Sequence, residues 1–228
     1  MPLGRFGGSA PTAVSTPAGG SPSSGDLMKD PIDLLQNSPY GMPAITSQMY
    51  LPGANYGFNL IKNGSFEFWN GATAGDPPRW DTGTGGQTLA KNTTAADVRD
   101  GSTSLNLTNA ASSEASELQT LTISSTINPT WRGSYVTMSV WVKASTASRV
   151  FVRIDDNVGT SDSVLHSGSG VFELLVVTRL LDVAATALRV ELRIVSGSAI
   201  TATFDSVMVV FGQTPVSFSP HINDLALA

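Results

Sequence analysis

The chain has 228 residues, a formal net charge of −5, no cysteine, and 14% charged against 41% hydrophobic residues. That length suits one β domain plus a tail or two small domains, and the apolar fraction suffices for a core. The acidic balance and the lack of any basic cluster argue against nucleic-acid binding, which needs Lys and Arg to displace phosphate counterions. The missing cysteines exclude a disulfide framework, a zinc–thiolate site and a thiol nucleophile.

Residues 1–25 are mostly Gly, Pro, Ser, Ala and Thr with a single charged residue, Arg5, and cannot alone bury enough apolar surface to offset chain ordering. MPLGRFGGSAPTA lacks an apolar h-region and so does not read as a secretory signal. No run of about 18 apolar residues predicts a membrane span. LMKDPIDLLQ (27–36) is the candidate helix of the first half, with Asp30 as cap, Pro31 at the first helical position, and Ile32, Leu34 and Leu35 as a short apolar face; a loop with a turn is the alternative. Residues 37–57 are punctuated by Pro and Gly, yet too rich in large apolar side chains for a solvated linker. They read as an extended arm that lays Met42, Ile45, Met49, Tyr50 and Leu51 into a neighbour's groove, making 1–57 an N-terminal anchoring arm.

After Phe58 the pattern changes. NLIKNGSFE (59–67) reads as an opening strand. VTMSVWVKAS (136–145) places Met138, Val140 and Val142 opposite Thr137, Ser139, Trp141 and Lys143. RVFVRID (149–155) and ALRVELRIV (187–195) alternate likewise, so each is a strand with one buried face. VFELLVVTRLL (171–181) is a nearly continuous apolar run, either a strand buried on both faces or a short helix. TATFDSVMVVF (201–211) is the last long strand. Short strands, polar turns and no β–α alternation predict an all-β sandwich over 58–211, followed by a short C-terminal tail, 212–228.

Five segments carry a resemblance. Asn59 to Glu67, Pro77-Pro78-Arg79-Trp80, Val98 to Leu107, Tyr135 to Ser145 and Thr203 to Val207 resemble, in order, the strands of jelly-roll carbohydrate-binding modules of the family 4/9 type. Gly212 to His221 is similar to the segment that follows this jelly roll in tailed-phage virion and tail-fibre proteins. The resemblance implies a β-sandwich jelly roll. It also implies a structural Ca2+ where first and last strands meet, with Glu67 and Asp205 at the matching positions and Asp100 as a third; Ser206 stands where the pattern often has a second Asp.

Sugar binding requires exposed aromatic platforms. Trp141, Trp131 and Tyr135 are the candidates, with Trp69 also available, and Trp80 is expected in the core. Trp141 sits on the polar face of its strand; packing beneath a neighbouring strand or subunit is its alternative reading. Arg149, Arg153, Arg189 and Arg193 form a ladder that either meets an acidic partner or pairs with Glu191, Asp155 and Glu173 on a solvated face. The carboxylate pairs Asp155-Asp156 and Glu114/Glu117, and the histidines His166 and His221, form no catalytic constellation, so no enzyme is expected. These readings point to a virion structural protein of a tailed phage, assembled in the host cytoplasm, docking through its arm onto other virion proteins and displaying a jelly roll. It is expected to be a homo-oligomer, a trimer by analogy, that touches host surface glycan, with neither nucleic-acid binding nor membrane insertion. The rival is a true carbohydrate-binding module acting through its aromatics.

Overall fold

The computed structural model describes residues 58–70, 75–222 and 224. The helix at 27–36 and the arm residues Met42, Ile45, Met49, Tyr50 and Leu51 lie outside the described residues. Among the described residues ten strands form two antiparallel sheets. They are β1 (Asp81–Thr82), β2 (Gln87–Asn92), β3 (Ser104–Asn109), β4 (Ala115–Thr122), β5 (Tyr135–Ala144), β6 (Val150–Asp155), β7 (Thr160–Asp162), β8 (Phe172–Leu180), β9 (Ala187–Ile194) and β10 (Thr201–Phe211). One sheet has the order β2-β3-β10-β5-β8, the other β1-β4-β9-β6-β7. The protein is an all-β sandwich. Among the described residues, helical structure is confined to the 3-10 turns Ala95–Asp97 and Pro129–Trp131, and no helix is long and apolar enough to cross a membrane.

Alternation makes the core. Val136, Met138, Val140 and Val142 of β5 face Val150, Val152 and Ile154 of β6 and Leu188, Val190, Leu192 and Ile194 of β9 across the sandwich, all of them buried. Each such aliphatic side chain removed from water contributes roughly 1.5–3 kcal/mol. Phe204 and Leu105, cross-strand partners on β10 and β3, extend this layer.

The strand expected over 59–67 is instead an irregular segment that runs along β10. Asn63 and Phe66 adopt left-handed φ values of 52° and 55°, which no strand accommodates. The segment still spends its polar groups on β10: Leu60 N–H donates to Val209 O (2.9 Å), Val207 N–H to Gly64 O (2.8 Å), and the Asn59 side chain bridges Val207 O and Val209 N–H. A side chain at position 64 would collide with Val207 O, so only glycine permits this approach. Ile61 and Phe66 are fully buried, and Trp80 stacks on Phe66 at 5.2 Å while donating Nε1–H to Asn63 O. Trp80 is thus a core residue, as its place after the Pro-Pro turn suggests.

The run 171–181 is also neither helix nor doubly buried strand. It forms β8, which is hydrogen-bonded to β5 alone and lies at the edge of its sheet. Leu175 and Val177 point into the core; Leu174 and Leu180 on the other face are exposed. Between the sheets, at the β1–β2 margin, the Gln87 amide pairs with the backbone of Ser116 like a length of strand, donating to its carbonyl and accepting from its N–H, both at 2.8 Å.

Candidate functional site

The outer face of the β2-β3-β10-β5-β8 sheet carries Trp141. Its register partners on either side are Asp205 of β10 and Leu174 of β8. A bulge between Asp205 and Met208, with Ser206 at φ 53°, interrupts the ladder beside it. Two irregular segments come over this spot. The loop before β3 brings Arg99 above the indole, its guanidinium carbon 4.2 Å from the ring centroid. The segment after β10 brings Pro215, Val216, Ser217 and Phe218. Together with Ser139 and Ser206 they line a groove of about 410 Å³. Trp141 is half-buried at its base. The groove thus combines an aromatic ring, apolar walls, hydroxyls and one guanidinium, the chemistry that engages a polyol ring with a patterned polar edge.

Two carboxylates, one buried and one partly exposed, position this loop. Asp205, fully buried, accepts from the backbone N–H of Arg99 (2.7 Å), Asp100 (3.1 Å) and Ser206 (2.6 Å). Burial pushes its carboxyl up to about 7 against the downward pull of those three N–H groups. Glu67 holds the next stretch, accepting from Ser102 N–H, Thr103 N–H and the Ser102 hydroxyl. Gly101, at φ 73°, passes so close to that carboxylate that any side chain there would strike it.

This arrangement bears on the calcium implied by the resemblance. Asp205 and Glu67 both turn their oxygens toward N–H and hydroxyl donors, which a cation would repel. Asp100 is exposed. Among the described residues no group of three or more Asp, Glu, His or Cys is disposed to hold a metal. Glu67, Asp100 and Asp205 therefore do not fit a shared Ca2+; two of them fix a loop directly.

The aromatic candidates separate. Trp131 is a correction: it is only 6% exposed, set edge-on against Phe211 at 5.3 Å, and presents no platform. Tyr135 is exposed but begins β5, six positions before Trp141, a separation of about 20 Å at the rise of a strand. Trp69 is half-buried against the core and donates Nε1–H to Phe66 O. Trp141 is the candidate that lines the groove described here.

The arginine ladder is largely neutralised. Arg153 binds Asp162 through two bonds of 2.6 and 2.8 Å, Arg189 pairs with Asp155, and Arg193 with Glu191 and Glu114. Arg149 caps the Val195 and Ser198 carbonyls. Glu173, expected as an arginine partner, instead bonds Ser167 and Ser169. Asp156 is buried and bonded to Arg179 and to the N–H groups of Val158, Gly159 and Asp182. Burial raises its carboxyl, but Arg179 and those N–H groups prevail and bring it down to about 2. His166 is fully buried, with Nε2 3.1 Å from Val142 O and Nδ1 accepting Gly168 N–H, so it knits a loop.

Two features escaped the sequence reading. Glu117 points into the sandwich, fully buried; its Oε2 accepts from Gln87 and its Oε1 has no partner. Burial, reinforced by Asp76 and Asp81, pushes its carboxyl up to about 8. The alternation of ASELQTLT (115–122) carries this signal, since Glu117 shares parity with Ala115, Gln119 and Leu121. Arg99 is the other, and nothing local to Val98–Asp100 signals its meeting with Trp141.

No protein-family model matches the chain, and no curated protein matches it. Solved structures do. The enzymatically active domain of bacteriophage CBA120 tailspike protein 4 is 18% identical with a TM-score of 0.50, over 68% of this chain and 21% of that one. The N-terminal CBM22-1-CBM22-2 tandem domain of Paenibacillus barcinonensis Xyn10C is 17% identical with a TM-score of 0.50, over 72% of this chain and 49% of that one. A family 22 carbohydrate binding module of Clostridium thermocellum Xyn10B is 16% identical with a TM-score of 0.48, over 71% and 98%. The chain thus spans about a fifth of the tailspike domain and about half of the tandem domain. At such identities the likeness is one of fold: the sandwich described above is a jelly roll of the kind found in carbohydrate-binding modules.

Proposed function

We propose that this chain is a non-catalytic, glycan-engaging display module of a tailed-phage virion appendage. In this reading residues 1–57 dock onto other virion proteins or sister subunits, and the jelly roll faces outward to host surface glycan. The observation that carries it is the groove around Trp141, an aromatic candidate placed among hydroxyls, a guanidinium and apolar walls on an outer sheet face. The likeness in fold to a phage tailspike domain and to a CBM22 tandem supports the reading without assigning a ligand. Of the acids and histidines weighed for catalysis, Asp156 and His166 anchor loops, Glu117 is buried, and Asp155 and Glu114 pair with Arg189 and Arg193.

The test is a glycan array followed by calorimetry on the positives, for the unaltered chain and for Trp141→Ala. The proposal expects binding that Trp141→Ala weakens by about tenfold or more, since a stacked aromatic contributes about 1–3 kcal/mol. Binding unchanged by Trp141→Ala would remove the groove from the account, and no binding to any surface polysaccharide would overturn the glycan reading.

A further inference from the structure

Six arginines among the described residues have their guanidinium groups hydrogen-bonded: Arg132, Arg149, Arg153, Arg179, Arg189 and Arg193. Arg99 differs. It lines the groove, it lies over the Trp141 ring, and no hydrogen bond or ion pair of its side chain exists among the described residues. An arginine laid on an aromatic face is oriented by the contact yet keeps its planar fork of N–H donors, the geometry that matches a carboxylate or phosphate in bidentate fashion. Its backbone is fixed by Asp205, whose oxygens are engaged by N–H groups. Among the described residues no carboxylate lines the groove; Ser139, Ser206 and Ser217 supply hydroxyls, and Leu174 and Phe218 an apolar wall. We infer that the groove selects an anionic saccharide, with the Arg99 fork on the sugar's oxyanion and Trp141 and Leu174 against its apolar face. The inference rests on the glycan reading and names its ligand class. The chain's net charge of −5 opposes long-range attraction of such a ligand, so selection is local, made at the guanidinium.

The experiment is calorimetry of the full chain with two acidic probes, an oligogalacturonate and a phosphorylated mannose oligosaccharide, each beside its neutral counterpart obtained by carboxyl reduction or dephosphorylation. The expected result is at least one acidic probe bound about tenfold or more tighter than its neutral partner, as a charge-assisted pair of bonds supplies. The arm that shows the preference identifies carboxylate or phosphate as the anion. Arg99→Gln erases the preference, and Arg99→Lys, which keeps the charge without the fork, restores only part of it. Arg99→Gln retains the backbone N–H that Asp205 accepts, and an unchanged melting temperature verifies that it folds. Equal binding of acidic and neutral probes overturns the anionic preference and leaves the glycan reading standing. A preference that survives Arg99→Gln overturns the assignment to Arg99. Binding of none of the four probes, with a glycan array also blank, overturns both.

Discussion

Glu117 and Asp156 are both buried carboxyls, yet they respond oppositely to pH because their partners differ. Asp156 sits among donors and stays ionised down to about pH 2, whereas Glu117 has one amide donor and two acidic neighbours and holds its proton to about 8. Unfolded, Glu117 releases its proton near 4.5. The native state therefore binds more protons through the window from 4.5 to about 8, and stability falls as pH rises through it. Asp205, raised to about 7, adds to the same slope. Asp156 acts in the other direction: its contribution is complete above about 3.8 and is lost as pH falls toward 2. Urea melts from pH 3 to 9 are expected to show greatest stability near the boundary between these windows, at roughly pH 4–5. Glu117→Gln keeps the shape and removes the titration, so it is expected to flatten the alkaline limb by an amount on the order of a few kcal/mol; a limb of unchanged slope would place the titrating group elsewhere. Asp156→Ala strands Arg179 and three N–H groups and is expected to cost about 3–5 kcal/mol in the same melts.

At the scale of elements, the loop from Val98 to Thr103 hangs on two carboxylates from distant segments, Glu67 and Asp205. Asp205→Asn turns an acceptor into a partial donor opposite three N–H groups. Hydrogen exchange in 97–103 is expected to accelerate and stability to drop by about 1.5–3 kcal/mol. Because these carboxylates face N–H donors, EDTA is expected to leave the melting temperature of the unaltered chain unchanged; a shift of several degrees on chelation, reversed by calcium, would reinstate the cation. What was legible in the sequence follows the same division. The strands β5, β6 and β9 declare themselves because alternation is local and one face of each is buried. The opening segment reads as a strand through its resemblance, but two left-handed residues make it a cover for β10; the turn pair Asn63-Gly64 signals the first of them, and nothing local signals Phe66. β8 reads as doubly buried because apolar composition does not distinguish a central strand from an edge strand with exposed leucines. The site was half legible. Trp141 was marked by its parity with Ser139 and Lys143, whereas Trp131 follows a turn with no period to report its burial. Arg99 became part of the groove only through the fold.

At the scale of the whole molecule, an anchoring arm over residues 1–57 has a consequence for assembly. Light scattering after size exclusion is expected to find the full chain oligomeric, trimeric by the virion analogy, and residues 58–228 monomeric and folded. Two monomers would show that Met42, Ile45, Met49, Tyr50 and Leu51 await a foreign partner and do not join sister copies. A further consequence follows from how the chain enters and leaves the sandwich. Leu60, at its start, is hydrogen-bonded to Val209, near the end of its last strand. The two points where tension would be applied are therefore neighbours, and a pull on the flanking segments meets the Asn59–Gly64 bonds to β10 one after another, as a zipper opens. The interlocked sheets lie outside that load path. Strung between neighbours under strain, the jelly roll would swing as a pendant from the line of force, and the groove, walled in part by Pro215 to Phe218 of the C-terminal flank, would register the pull.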